Sequence, residues 1–397
     1  MGVPDRGGPL AGVRIIDLTT VVMGPFTTRI LADYGADVVK VEGKDGDIMR
    51  WTGPWRHPGM GAVFLHLNRG KRSIVLDLKS AGGRAAVLAL CATADVLIHN
   101  IRPAAMRRLG LDYPEVARAN PKIVYVDLVG YGQRGPYAAR PAYDDLIEGA
   151  SGLASLFEGT GNDAPRYVPL NVADRIAGIN AVHVVLAALF YRERTGKGQS
   201  VELPMFETLV DVVLGDHLGG HSFEPPIAGF GYGRLLTPLR RPHRTADGYI
   251  CVLLYSDDQW KRFFAITGRA DEYASNERLS NGILRRNHYH EAYTLVAGIL
   301  ATRTSEEWLR VLQENDIPAM PLHTMESLLR DEHLAAIDFF SVREHPTEGA
   351  LRTMALPTTW SASQPGMPPL APNLGEHTEE ILREAGLDAA AIAKLRP

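Results

Sequence analysis

The chain has 397 residues, and its 42 lysines and arginines against 46 aspartates and glutamates give a formal net charge of -4. Because charges of both signs are interspersed, no whole-molecule field favours binding to nucleic acid or to an anionic membrane surface. The length exceeds that of a typical single domain and favours one large domain plus a smaller one. Any anionic ligand must therefore be held by a local basic patch.

The two cysteines, Cys91 and Cys251, lie far apart in apolar segments and lack the spacing of a metal site. This usage is typical of reduced core thiols, and we expect a cytoplasmic protein. The longest apolar run, residues 181–191, is too short to span a bilayer, and the first residues form neither a signal peptide nor a myristoylation motif. We expect neither a membrane partner nor a bound metal.

The first half of the chain alternates short apolar strands with helices. We predict helices at residues 26–34 and 82–94, and strands at residues 12–19, 37–42, 72–78, 95–100, 123–128 and 199–203. This alternation indicates a parallel sheet covered on both faces, that is, an α/β fold with a doubly wound, Rossmann-like domain. Such sheets bind ligands beyond the carboxyl ends of their strands. The first strand-to-helix turn lacks Gly-x-Gly-x-x-Gly, which argues against a nicotinamide or flavin enzyme.

Basic and amide side chains flank several of these strands. Each alone is typical of a solvated surface, but together on one rim of the sheet they could hold the phosphates of a nucleotide-like ligand. The residues are Lys71, Arg72, Lys79, Asn100, Arg102, Arg107 and Arg108.

A long helix is predicted from Ile176 to the basic pair Arg192 and Arg194, with Gly196 as its stop signal. Asp174 stands at its start, where unpaired backbone N–H groups and the helix dipole favour a negative charge. We therefore expect this carboxylate to stay ionised at neutral pH. An aspartate at this position is most often a helix cap, but an ionised, oriented carboxylate can also act as a nucleophile.

The composition divides the chain into four parts. Residues 1–222 form the N-terminal part of a large domain, and residues 223–245, rich in Gly, Pro and Arg, form a linker. Residues 246–325 are predicted to form a small α+β domain, which includes a capping box from Thr304 to Glu307. Residues 326–397 return to complete the large domain.

Seven motifs together resemble the class III CoA-transferase family, also called the CaiB/BaiF family. They occupy residues 9–25, 31–42, 68–79, 130–136, 141–144, 168–198 and 374–378. The resemblance covers nearly the whole chain. It implies an interlocked homodimer, in which each chain threads through a ring made by the other. It also implies an enzyme that moves CoA from an acyl-CoA to a carboxylic acid without a permanently bound cofactor.

The resemblance assigns roles to individual residues. Asp174 matches the family's covalent nucleophile, and the large CoA-binding domain would contact CoA through Met23, Leu76, Lys79, Asn100, Ile101, Arg102, Arg108, Tyr143 and Asp144. The glycine-rich residues 229–233 stand where the family carries a loop that donates N–H groups to an oxyanion. Val22 and Gly43 depart from the residues of oxalate-handling members, which argues against formate and oxalate as substrates.

Two other functions remain as alternatives. The family also contains α-methylacyl-CoA racemases, but Tyr143 stands where their histidine base would be, and tyrosine is a poor base at neutral pH. A non-catalytic acyl-CoA-binding protein would keep the basic rim without needing Asp174. The donor is hypothesised to be succinyl-CoA, with a carboxylate clamp drawn from Arg134, Arg166, Arg175, Arg234, Arg240 and Arg241.

Overall fold

The computed structural model describes residues 7–161 and 164–395. The chain folds into two compact units. The first contains the residues up to Ser151, Val168–Val212 and the residues from Leu334 onward, whereas the second contains Gly152–Tyr167 and Val213–His333. The segment 223–245 belongs to the second unit. The functional division into domains and linkers stays a prediction.

The first unit is built on six parallel strands in the order β3-β2-β1-β4-β5-β6. This is the predicted doubly wound topology, in which the strand order reverses between β1 and β4. The first five strands are almost wholly buried, because helices cover both faces of the sheet. The strands are β1 (Arg14–Leu18), β2 (Asp37–Glu42), β3 (Lys71–Val75), β4 (Val96–His99), β5 (Val124–Val129) and β6 (Gln199–Pro204).

Helices follow most of these strands and supply the covering layers. One apolar core lies between the sheet and the helices on one face, and it includes the thiol of Cys91. The helices are α1 (Met23–Asp33), α2 (Ala62–Leu67), α3 (Ala81–Cys91), α4 (Pro103–Leu109), α5 (Tyr113–Ala119), α6 (Asp144–Ala150), α7 (Val172–Thr195) and α8 (Met205–His217).

Helix α7 has 24 residues and is long and apolar enough to cross a membrane by length and composition alone. Half of its most apolar stretch is buried inside the protein. Its buried side is lined by small residues such as Ala173, Ala177 and Ala181, and it packs along α1. Small residues allow two helices to approach closely, so α7 has the packing of a core helix.

The second unit has its own three-stranded sheet and an aromatic core around Phe263 and Trp308. The capping box from Thr304 to Glu307 is confirmed at the start of α14. The elements are β7 (His243–Arg244), β8 (Tyr249–Val252), α9 (Asp257–Ile266), α10 (Ala270–Ser275), α11 (Glu277–Ser280), α12 (Gly282–Asn287), α13 (Tyr289–Leu300), α14 (Ser305–Glu314), β9 (Ala319–Pro321) and α15 (Met325–Leu328). Helix α16 (Glu332–Ala336) begins in the second unit and ends in the first.

The C-terminal segment forms an antiparallel hairpin, β10 (Phe340–His345) with β11 (Gly349–Met354), and two helices, α17 (Thr378–Glu384) and α18 (Ala389–Ala393). The backbone N–H of His377 donates to Ser73 O of β3 at 2.9 Å. Ile381 and Leu382 of α17 are buried in the core of the first unit. The end of the chain is thus an integral part of the large sheet domain.

Two residues of the predicted basic rim do not belong to it. Lys71 and Arg72 begin β3, whereas ligands bind at the opposite, carboxyl ends of the strands. Lys71 Nζ lies 3.1 Å from Asp17 Oδ2, and Arg72 Nη2 lies 2.7 Å from Asp37 Oδ2. Burial lowers the pKa of Lys71 to about 8, against the opposing effect of Asp17. Both cations neutralise buried acids, so the prediction that they line a phosphate site is wrong.

Candidate active site

A cavity of about 240 Å³ opens beyond the carboxyl ends of β1, β4 and β5. It lies at the point where the strand order reverses, where parallel α/β sheets place their ligands. Seven of the ten residues predicted for catalysis and CoA binding line it: Met23, Asn100, Ile101, Arg102, Tyr143, Asp144 and Asp174.

Asp174 lies in the first turn of α7 and is 8% exposed. Its backbone N–H donates to Oδ1 of Asp144 at 2.8 Å, so Asp144 satisfies one of the unpaired donors at the start of α7. The backbone N–H of Met23, the first residue of α1, favours the ionised form of this carboxylate and lowers its pKa. The side chain therefore points at the positive end of a second helix.

The electrostatics of Asp174 differ from the prediction of full ionisation. Burial, followed by the negative charge of Asp144, raises the pKa of Asp174 to about 7, although the Met23 N–H and Arg175 act in the opposite direction. The neutral acid is therefore present alongside the carboxylate near neutral pH. The helix dipoles that the sequence suggested are present, but loss of hydration and a second carboxylate outweigh them.

Asp144 is itself part of a carboxyl cluster on α6. Burial raises the pKa of Glu148, Asp144 adds to this rise, and the Val168 N–H, which donates to Glu148 Oε2 at 2.8 Å, opposes it. Oxygen atoms of Asp144, Asp145 and Glu148 lie within 4.8 Å of one another, a spacing at which carboxylates can hold a metal ion.

Gly178 brings α7 close enough to α1 to make the contact between Asp174 and Met23. A Cβ atom at Gly178 would lie 2.9 Å from Met23 O and 3.2 Å from Phe26 Cδ1. The hydroxyl of Thr27 donates to Gly178 O at 2.9 Å and ties the two helices together one turn beyond Asp174. Because Gly178 has no side chain, α7 can lie close to α1, and this packing sets the position of the Asp174 carboxylate.

Asn100 joins the ends of the two central strands. Its Oδ1 accepts from Thr20 N at 3.0 Å, and its Nδ2 donates to Thr20 O at 2.8 Å. The next residue, Val21, has a φ of 72°, a left-handed conformation that a β-branched side chain adopts only under strain. Asn100 therefore holds a strained turn that leads directly into Met23.

Three predicted CoA contacts lie away from this cavity. Leu76 is 1% exposed and packs in the core, so its side chain is unavailable to a ligand. Lys79 and Arg108 are exposed and are not among the residues that line the cavity. For Leu76 only the backbone is available to a ligand, and the contacts of Leu76, Lys79 and Arg108 with CoA stay predictions.

The predicted oxyanion loop, residues 229–233, lies in the second unit. Gly231 N donates to His217 O at 2.8 Å, and Tyr232 N donates to His217 Nδ1 at 3.2 Å. Two of its amide groups therefore already donate to His217, the last residue of α8. Its role at an oxyanion stays a prediction, and the Met23 N–H is the backbone donor that favours negative charge on Asp174.

Sequence reasoning missed three contributors to the site. Val21 gives no signal in the sequence, because its strain exists only in the folded turn. Glu148 could have been found as the residue four positions after Asp144 on one helix face. Arg140 lines the cavity, with its guanidinium 3.8 Å from the ring centroid of Tyr137, but it was absent from the proposed arginine clamp.

Taken together, the fold and the site define a doubly wound α/β protein with a buried carboxylate at the switch point of its sheet. Residues 10–378 match the model of CoA-transferase family III. The chain is similar to an acyl-CoA transferase of Fusarium pseudograminearum, at 33% identity over 98% of this chain and 87% of that protein. It is also similar to the succinate–glutarate CoA-transferase of Agrobacterium fabrum, at 32% identity over 96% and 97% of the two chains.

A third relative is the succinyl-CoA:mesaconate CoA-transferase of Haloarcula hispanica, at 30% identity over 96% of this chain and 97% of that protein. The crystal structure of a CaiB/BaiF family protein from Brucella suis aligns with a TM-score of 0.79, at 28% identity, and covers 96% of this chain and 100% of its own. The chain belongs to CoA-transferase family III. It is an acyl-CoA:carboxylate CoA-transferase, with CoA thioesters as substrates.

Proposed function

We propose that Asp174 is the covalent nucleophile of a CoA transfer from succinyl-CoA to a second dicarboxylic acid. The observation that supports this most is the position of its carboxylate, buried in the cavity beside Asp144 and in contact with the Met23 N–H. A general base is not needed, because the attacking group is itself an anion.

The chemistry follows from the carboxylate. An oxygen of Asp174 attacks the thioester carbonyl and expels CoA thiolate, which leaves a mixed anhydride of Asp174 and the donor acid. The thiolate then attacks the aspartyl carbonyl and expels the donor carboxylate, which leaves an aspartyl-CoA thioester. The acceptor carboxylate runs these steps in reverse and regenerates Asp174. Each step exchanges one acyl bond for another of similar energy, so no ATP is needed.

The Met23 N–H supplies a donor for half of these steps. When thiolate or acceptor attacks the aspartyl carbonyl, the oxyanion that forms is an oxygen of Asp174. The Met23 N–H at the start of α1 already favours negative charge on this carboxylate, and the helix dipole acts in the same direction. Before attack the same contact orients Asp174.

The choice of dicarboxylic acids rests on two observations. The relatives from Agrobacterium and Haloarcula are named for transfer between succinate and glutarate or mesaconate. The cavity also contains two guanidinium groups, those of Arg102 and Arg140, which suit a second carboxylate or the phosphates of CoA.

The test is intact-protein mass spectrometry after incubation with succinyl-CoA, with and without a hydroxylamine quench. We expect a CoA adduct or a hydroxamate at Asp174 in the wild type and in the matched control Asp145→Ala, but none in Asp174→Ala. An adduct that persists in Asp174→Ala would overturn the role of this residue. Adducts formed with other acyl-CoAs but not with succinyl-CoA would overturn the proposed donor.

We also infer a homodimer. Helix α7 presents exposed apolar side chains on the face away from the sheet, with Ile179 46%, Phe190 64% and Tyr191 45% exposed. Such a face is typical of a surface that another chain covers. Size-exclusion chromatography with light scattering should give twice the mass of one chain, and Phe190→Glu should lower it, whereas a monomeric wild type would contradict the inference.

A further inference from the structure

The second unit contains a separate cavity of about 540 Å³, which is larger than the cavity at Asp174. This volume lies in the range of small-molecule sites. Trp260 is 3% exposed and lines the cavity, and four tyrosines join it: Tyr232, Tyr255, Tyr289 and Tyr293. The walls are therefore aromatic faces with phenolic hydroxyl groups, a surface that suits a ligand with one apolar and one polar end.

The charges of the lining leave one cation uncompensated. Arg285 is ion-paired with Asp257 and lies over the ring of Trp260, at 4.8 Å from the ring centroid. Arg234 has no such acid, because no carboxylate of the described residues lies within ion-pair distance of its guanidinium. The lining of two arginines and one aspartate thus carries one net positive charge.

Arg234 is held in place by neutral groups. Its Nε donates to the hydroxyl oxygen of Tyr293 at 3.3 Å. This contact and a second one with Tyr232 raise the pKa of Arg234 above its ordinary value. Because the Tyr293 oxygen accepts from Arg234, its own O–H proton can be given to a ligand. A guanidinium and a phenol side by side form a binding site for a carboxylate.

We propose that this cavity binds an organic carboxylate with an apolar body, through Arg234 and Tyr293 at its polar end and Trp260 and Tyr289 along its walls. The volume and the aromatic walls favour a body of about six carbon atoms or more over a compact dicarboxylate. The ligand proposed for this cavity is therefore different from the compact dicarboxylic acids of the proposed transfer reaction. Its binding does not depend on that reaction.

Isothermal titration of the Asp174→Asn variant with benzoate and hexanoate tests the site without turnover. We expect Arg234→Gln to weaken binding about tenfold or more and Tyr293→Phe to weaken it about threefold, because a charged and a neutral hydrogen bond are lost respectively. Arg310→Gln is the matched control: Arg310 lies in the same unit, is paired with Glu314 and is absent from the cavity lining. Its affinity should stay within about twofold of the parent.

Unchanged benzoate affinity in both Arg234→Gln and Tyr293→Phe would contradict the proposed carboxylate site. If Arg234→Gln fails to fold, Tyr293→Phe alone still tests the site. Inorganic phosphate or glutarate binding as tightly as benzoate would overturn the requirement for an apolar body. The adduct at Asp174 is measured separately. If no adduct forms but benzoate still binds, only the proposed function is contradicted. If the adduct forms but benzoate does not bind, only the proposed carboxylate site is contradicted.

Discussion

The backbone N–H of Asp174 donates to the carboxylate of Asp144 at 2.8 Å, so the residue that caps α7 also places a negative charge beside the proposed nucleophile. The contact anchors α7, while the charge adds to burial in raising the pKa of Asp174 to about 7. A less solvated, more basic carboxylate is a better nucleophile once ionised. The Asp144 carboxylate therefore both caps α7 and raises the basicity of Asp174.

The first prediction concerns the pH dependence of adduct formation. Since only the carboxylate attacks, the rate of aspartyl-CoA formation should rise with pH through about 7. Asp144→Asn keeps an oxygen acceptor for the Asp174 N–H but removes the charge, so the midpoint should move to lower pH. Asp145→Asn, the control, should leave it in place. Rapid-quench measurement of succinate release from succinyl-CoA across pH 5 to 9 is the assay, and identical midpoints in all three proteins would contradict the account.

The second prediction concerns stability. The pKa of Asp174 is raised from 3.8 to about 7 on folding, so the folded state binds more protons than the unfolded state between these values. Stability contributed by this group is therefore lost as pH rises through this window. Between pH 5 and pH 8 the wild type should lose roughly 2 kcal/mol more than Asp174→Asn, which cannot ionise.

Urea denaturation at the two pH values measures this difference, with the other titrating groups common to both proteins. Asp145→Asn should follow the wild type. Parallel losses in the wild type and Asp174→Asn would show that Asp174 has an ordinary pKa.

The third prediction concerns the contact between α1 and α7. Gly178→Ala places a methyl group 2.9 Å from Met23 O, so the helices must separate and the Met23 N–H must move from Asp174. We expect a loss of about 1–3 kcal/mol in the free energy of unfolding and a slower CoA transfer. Gly298→Ala in α13, where a Cβ atom meets nothing within 4 Å, should stabilise by about 0.5–1 kcal/mol with unchanged activity. Equal activity of the two variants would count against this positioning role.

The sequence predicted the sheet well because its signal is local. Strand β2 was predicted with its observed bounds, and strands β1 and β3 to β6 within three residues, since apolar runs between turn signals report burial directly. The site was harder. Lys71 and Arg72 were placed on the wrong edge of the sheet, because charge alone does not reveal which buried acid a cation will meet.

The state of Asp174 also lay beyond local signals. Its position in the first turn of a helix is visible in the sequence, but its pKa depends on burial and on Asp144, which lies 30 residues away in the chain. The left-handed Val21 likewise exists only because Asn100, from a different strand, holds the preceding residue. Long-range contacts of this kind decide chemistry, and residue spacing does not encode them.

The fourth prediction separates positioning from stability at Asn100. Asn100→Ala removes both hydrogen bonds to Thr20 and lets the strained turn at Val21 relax, which displaces Met23 and the cavity wall. We expect about a tenfold rise in KM for the acyl-CoA or a matching fall in kcat. A cavity wall that no longer orients the substrate would cost about 1.4 kcal/mol of binding or activation free energy, which corresponds to a factor of ten. Relief of strain at Val21 should partly offset the lost bonds in the free energy of unfolding.

The matched control is Asn120→Ala. The Asn120 amide also donates twice to backbone oxygens, to Cys91 O at 2.9 Å and Ala94 O at 2.8 Å, but it lies outside the cavity lining. This variant should lose at least as much stability as Asn100→Ala while keeping KM and kcat. Steady-state kinetics and urea denaturation of both proteins give the comparison. A turn that only supports the fold would lower activity by lowering the fraction of folded enzyme. If both variants lose activity in proportion to their loss of stability, Asn100 therefore has a structural role alone.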